Sequence, residues 1–154
     1  MVQRVRGVAL VVANPTDEIL ILQEFVNKPH LGKYRGMFSI PMETSQPGES
    51  DLSALQRLKE EELPGVPALE LPGTYIGVYR IVSGVWVRLY KTEAVSYRLP
   101  NTMSNEHEVG NYRWIPIDAA LSLWLRQGAR EMLSDYACGC CNVLRRYCST
   151  PTLL

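Results

Sequence analysis

The stretch LSALQRLKEEELPGV, Leu52 to Val66, follows PMETSQPGES, Pro41 to Ser50, and together they decide how the rest of the chain is read. Leu52, Leu55 and Leu58 recur at three-residue spacing with charges elsewhere, which predicts an amphipathic helix over Asp51 to Leu63. Ser50 or Asp51 is the N-cap, and the segment LPGVPALELPG, holding three prolines and two glycines, stops the helix. On this helix Glu61 lies one turn after Arg57, so the two share a face. Glu62 is adjacent around the helix, and Glu49 stands in the loop before the first turn. Carboxylates on a helix beside a glycine-containing loop supply the hard oxygen ligands that Mg²⁺ takes. An acidic helix end turned to water is the plainer reading of the same residues.

Outward from the helix, the pattern alternates between strands and turns. Val5 to Ala13 (VRGVALVVA) is a near-continuous apolar run, hence a buried strand; NPTDE turns the chain and ILILQEF is the strand returning from it. VNKPHLGKYRGM is a polar loop, FSIP a short strand ended by Pro41, and METSQPGES a loop leading into the helix. TYIGVYRIV and GVWVRLYKTEAV form two strands joined through Ser83-Gly84. YRLPNTMSNEHEVGN is a long loop before the short strand YRWIP, and Ile117 to about Cys148 reads as helical with a break near Gly139. Strand hairpins separated by two helices imply an α/β fold, a mixed sheet covered by helices on its faces.

The whole chain narrows the function classes. Its 154 residues make a single domain, 1–154, large enough to bury a core without disulfides. Lys+Arg and Asp+Glu are equal at 16 each, so coating duplex nucleic acid is excluded as its main business, whereas a local site for a small anion is not. No apolar run approaches the roughly 20 residues of a membrane span. The opening MVQRVRGVALVVANPTDEIL has too short an apolar run and no small-residue cleavage site, so it is read as a strand of a cytoplasmic protein. The four cysteines, Cys138, Cys140, Cys141 and Cys148, crowd the end of the chain at spacings that fit neither a disulfide framework nor a paired zinc motif, and are expected to be free thiols.

The segment from Phe38 to Gly65 resembles the Nudix box of the Nudix hydrolase family, G-x(5)-E-x(7)-R-E-U-x-E-E-x-G-U, with U a bulky aliphatic residue. Gly48-Glu49 gives the first glutamate with its customary glycine, seven residues separate it from Arg57, and Glu61-Glu62 fall on the E-E pair. FSIP is similar to the family's aromatic-x-x-Pro entry, with Met42 and Glu43 replacing two glycines. Four of the nine specified box positions are kept; the others hold Glu43, Leu58, Lys59, Pro64 and Gly65. The hairpin before the box and the segment NEHEVGNYRWIPIDAAL after it resemble the same family, so the likeness covers most of the chain.

The resemblance implies a Nudix-like α/β/α sandwich and hydrolysis of a nucleoside diphosphate linked to another moiety, with Mg²⁺ or Mn²⁺. It implies Glu61 and Glu62 as metal ligands from the helix, joined by Glu49 and the Met42 carbonyl oxygen, and Arg57 as the residue that orients the carboxylates. Glu108, or Glu106, in the loop before the tryptophan strand would supply a further ligand or the general base, with Glu108 preferred. Glu61 and Arg57 belong with Glu108 to the catalytic set. Leu58 stands where the family has a glutamate that binds metal, and Glu43 is a candidate replacement. His107 is read as a surface histidine. Tyr34, Tyr75, Tyr79 and Trp86 are candidates for stacking on a base and Lys33, Arg35, Arg80 and Arg88 for reaching phosphate, but core or interface is the plainer reading of strand aromatics and none of these is counted as a site residue. Homodimers are common in the family. The other function consistent with the damaged box is a non-catalytic Nudix-fold module that binds or senses a nucleotide.

Overall fold

The computed structural model of the chain describes residues 5–67, 69–82, 84–101, 108–139 and 143–148. The centre is β1 (Val5–Ala13), whose side chains alternate between two apolar layers. Val8, Leu10 and Val12 face one layer and Ala9 and Val11 the other, all fully buried. A strand covered on both faces has no polar side to show, which is why the sequence there is continuously apolar.

β1 runs parallel to β6 (Val85–Glu93) along its whole length and antiparallel to β2 (Ile19–Glu24) at its far end. β3 (Phe38–Ser39) borders β2, β5 (Thr74–Ile81) pairs with β6, and β8 (Val143–Tyr147) closes the order β3-β2-β1-β6-β5-β8. β4 (Met42–Thr44) and β7 (Val109–Ile115) attach off this path to β1 and β2. The result is the expected mixed sheet, with eight strands among the described residues.

α1 (Asp51–Glu62) covers one face. Ser50 Oγ accepts from Ser53 N at 3.1 Å, satisfying an amide that has no partner in the first turn. Its Ala54, Leu55 and Leu58 are fully buried against Val8, Leu10, Val12 and Leu20. Each such leucine contributes about 2 kcal/mol of apolar burial. On the opposite face α3 (Ala129–Ala137) presents Ala129, Met132 and Leu133 to Ala9, Val11, Ile19 and Ile21, with α2 (Ile117–Leu121) beside it. Tyr79 fills this second layer and donates to the buried Asp135 at 2.7 Å. Helix, sheet and helix make the three layers of the sandwich.

Three stretches differ from the sequence expectation. Met42–Thr44 is a strand, not loop: Gly7 pairs with Thr44, Val8 with Glu43 and Ala9 with Met42. A Cβ on Gly7 would stand 2.9 Å from the Glu43 carbonyl oxygen, so glycine is what allows the close approach. The helix expected from Ile117 onward is interrupted at Ser122, where the chain runs extended beside β3 before Gly128, at φ 91°, starts α3. Beyond Gly139, at φ 70°, residues Val143–Tyr147 form β8 instead of helix, because the edge of β5 offers them a ladder. Of the cysteines, Cys138 and Cys148 are free thiols, as expected; Cys140 and Cys141 lie outside the described residues.

Candidate functional site

β4 delivers Met42 and Glu43 to the end of α1, and the pairing with β1 fixes both. The Met42 amide donates to Glu62 Oε2 at 3.1 Å, while Tyr112 of β7 donates its hydroxyl to the Glu62 carbonyl oxygen at 2.5 Å. The last turn of α1 is thus tied to the sheet on two sides. Desolvation, and then the nearby Glu43 and Glu24 carboxylates, push the Glu62 carboxyl up to about 8, against the opposing pull of Lys33 and Arg126.

Arg57 is the hub of the acidic cluster. Its guanidinium donates to Glu49 Oε1 at 2.8 Å and to the Thr44 carbonyl at 2.8 Å, pairs with Glu43 at 2.9 Å, and reaches Glu61 at 4.0 Å. Glu49 is fully engaged: besides Arg57 it accepts from Gln46 N and Ser53 Oγ, and these bonds, the Arg57 one first, hold its carboxyl at about 2. Glu43, by contrast, is held above the usual carboxylate range by burial and by a hydrogen bond with Glu61, with Arg57 working the other way. Glu61 itself is mostly exposed at the rim.

A cavity of about 140 Å³ opens where β1 and β4 meet α1. Met42, Glu43 and Glu62 line one side, and Lys28, Lys33 and Glu108 the other. Glu108 pairs with Lys28 at 2.7 Å and with Lys33 at 3.6 Å, and the hydrogen bond from Lys28 keeps its carboxyl low and ionised. The structure therefore brings Met42, Glu62 and Glu108 to one space, with Glu43 among them. It sets Arg57 and Glu49 behind Glu43 as a clamp, and leaves Glu61 on the outer side of that clamp. Glu106 and His107 lie outside the described residues.

Leu58 does not face this space. It is fully buried in the apolar layer under α1, one turn before Glu62 on the same side of the helix. The position where the box has a glutamate is here part of the core.

Sequence reasoning named Lys33 but missed its buried neighbours, Arg126 in the cavity lining and Glu24 behind it. Arg126, in the extended segment before α3, pairs with Glu24 at 3.3 Å, and Lys33 lies 3.3 Å from the other Glu24 oxygen; all three are over nine-tenths buried. Arg126 also donates to the Leu31 carbonyl at 2.6 Å, while among the described residues its Nε has no hydrogen-bond partner and Glu24 Oε2 has only the Lys33 ion pair. One signal was available: Glu24 continues the period of Leu20 and Leu22 and so belongs to the inward face of β2. Its partner is 102 residues away, and nothing local announces that contact.

The residues fit a divalent cation in their chemistry. Glu43 shares a hydrogen bond with Glu61 and its charge acts on Glu62, so Glu43 stands between two like groups at the end of α1, an arrangement that a hard cation would favour. Among the described residues no three acidic, histidine or cysteine side chains already enclose one point.

Comparison with known proteins places these features. The family model described as NUDIX domain matches residues 3–136. The fold is similar to that of a NUDIX hydrolase from Nitrosomonas europaea, with TM-score 0.69 at 19% identity over 92% of this chain and 93% of that one. It is similar to a MutT protein from Methanosarcina mazei Go1, with TM-score 0.65 at 18% identity over 89% and 95%. It is also similar to the NUDIX domain of Shewanella oneidensis NrtR complexed with ADP ribose, with TM-score 0.62 at 18% identity over 89% and 88%. No curated protein matches the sequence.

Proposed function

The chain belongs to the NUDIX domain family, and from that premise we propose that it hydrolyses the diphosphate of a nucleoside diphosphate linked to another moiety, with Mg²⁺ or Mn²⁺. One observation carries the reading: a single cavity is lined by Met42, Glu43, Glu62 and Glu108 together with Lys28, Lys33 and Arg126. Carboxylates to hold a cation and cations to hold phosphate stand around the same space, which is the combination that phosphoryl chemistry requires.

Glu62, Glu43 and Glu61, with the Met42 carbonyl, are the proposed ligands. When bound, the cation supplies charge to gather phosphate oxygens and to acidify the attacking water. Arg57 positions Glu43 and Glu61, and Glu49 positions Arg57. Lys28, Lys33 and Arg126 take the phosphate oxygens. Water attacks one phosphorus, the bridging oxygen leaves with the other, and Glu108 receives the water proton. Lys28 and Lys33 hold Glu108 ionised before substrate arrives; drawn to phosphate, they leave it a stronger base.

Leu58 supports a second reading. With the box glutamate replaced by a core leucine, the fold is consistent with a module that binds such a nucleotide without cleaving it. Turnover of nucleoside triphosphates, nucleotide sugars and dinucleoside polyphosphates, followed by anion-exchange chromatography with and without Mn²⁺, separates the two. Hydrolysis that needs the cation and falls at least a hundredfold in Glu62→Gln supports the enzyme. A ligand that raises Tm but is never cleaved supports the binding module and overturns the hydrolase.

A further inference from the structure

The side of the sheet that α1 covers over β1 continues across β6, β5 and β8, where Asp51 of α1 reaches Arg88 and Tyr90 of β6, and beyond that contact one row of residues crosses all four strands. Arg6 pairs with Trp86, Trp86 with Arg80, and Arg80 with Tyr147. Directly opposed residues of neighbouring strands project from the same face, so the row alternates guanidinium, indole, guanidinium, phenol. Arg6 and Val8 share their parity on β1, and Val8 packs under α1, which fixes the side on which the row lies.

Three of the four members touch. The Arg80 guanidinium carbon lies 5.7 Å from the Trp86 ring centre and 5.4 Å from that of Tyr147. The two rings meet edge to face at 5.9 Å. Tyr147 is 63% exposed and Arg6 is exposed. Among the described residues no carboxylate pairs with Arg6 or Arg80, although the chain as a whole is neutral. In the next row Arg88 pairs with Asp51 at 3.3 Å, so the unbalanced positive charge is local to the aromatic row.

We infer that this row is a binding surface for single-stranded nucleic acid, running away from the hydrolase cavity, which it meets at Arg6. Flat rings offer stacking to any base, and guanidinium groups between them meet the phosphates that link successive bases. Three inter-strand steps of ~4.8 Å make the row about 14 Å long. That is the width of a four-stranded sheet on which two or three bases stack. A duplex hides its base faces and gains nothing from the rings, and an acidic protein segment would use the arginines but leave the aromatics idle.

The test is fluorescence anisotropy of the full chain with a fluorescein-labelled eight-nucleotide single-stranded RNA and a DNA of the same sequence. Binding of either, with log affinity falling against log salt at a slope of about −1.4 to −2 for two to three phosphates, is expected. Tyr147→Ala should weaken it on the order of tenfold and Tyr147→Phe should not, because only the ring is needed. Arg80→Ala should weaken it and flatten the slope by about 0.7. Tyr147 is exposed on an edge strand, so its substitution leaves the fold in place, and a thermal melt verifies this. Glu62→Gln, in the cavity, should leave oligonucleotide binding intact whether or not it removes hydrolysis. No binding of either oligonucleotide, tighter binding of the duplex, or equal binding by the parent, Tyr147→Ala and Arg80→Ala overturns the inference.

Discussion

Replacing Leu58 by glutamate restores the letter of the box, yet the structure predicts damage rather than gain. Leu58 is fully buried among Val8, Leu10, Leu20 and its neighbours on α1. Leu58→Glu forfeits about 2–3 kcal/mol of apolar burial. It also places a carboxyl without a partner in that layer, at a cost of about 1–3 kcal/mol even when neutral. The sum, about 3–6 kcal/mol, lowers Tm by roughly 10–20 °C for a domain of this size. The introduced carboxyl has a folded pKa raised above its unfolded value, so the penalty is at its minimum, that same sum, below about pH 4 and grows as pH rises. Thermal unfolding of parent and variant at pH 5 and pH 8 reads both the drop and its growth with pH, and turnover with Mn²⁺ is measured on the same samples. A variant that melts within about 3 °C of the parent and gains cation-dependent turnover would refute the reasoning, since residue 58 would then face the cavity.

Other consequences follow from the same geometry. Glu62 has a folded pKa raised to about 8, so its contribution to stability is complete below about 4.5 and is lost as pH rises through about 8. Metal-free Tm should therefore fall between about pH 4.5 and about pH 8, Glu62→Gln should flatten that fall, and Mn²⁺ should oppose it by favouring the ionised form. Arg57→Ala and Glu49→Gln each remove one half of the clamp on Glu43. Each should weaken Mn²⁺ binding about 10–100-fold by calorimetry, and the double variant should be little worse than either, as expected for residues acting as one unit. Arg126→Ala leaves the Glu24 carboxylate buried with Lys33 alone, which should cost about 3–5 kcal/mol in urea unfolding. Much of that loss should return when Glu24→Gln is added.

The elements that were legible in the sequence are those specified locally. β1 and β2 are continuous apolar runs, and α1 carries its own cap at Ser50, so β1 matches at Val5–Ala13 while β2 (Ile19–Glu24) and α1 (Asp51–Glu62) each end one residue before the expected limit. β4 was not legible, because Met42-Glu43-Thr44 has no strand pattern of its own and becomes a strand only by lying against Gly7 and Val8. β8 was read as helix for the same reason: its partner, β5, is over 60 residues away in sequence. In the site, the resemblance gave Arg57 the role of orienting carboxylates, and its contact with Glu49 is local to one helix and its preceding loop. The ion pairs of Glu24 with Arg126 and Lys33 depend on how the interrupted segment before α3 packs beside β3, and no short stretch records that. Leu58 carried two signals: the motif marked it as the place of a lost glutamate, and its spacing from Leu55 placed it on the apolar stripe that the core buries; Leu52, read into the same stripe, is exposed.

The most direct measurement is anomalous X-ray diffraction from crystals grown with Mn²⁺, read at the end of α1. A manganese peak within ligand distance of the Glu62 carboxylate, with Glu43 or Glu61 as a further ligand and loss of the peak in Glu62→Gln, is the predicted result. Manganese bound elsewhere on the chain, or a peak unchanged in Glu62→Gln, would contradict a cation site built from the last turn of α1 and β4.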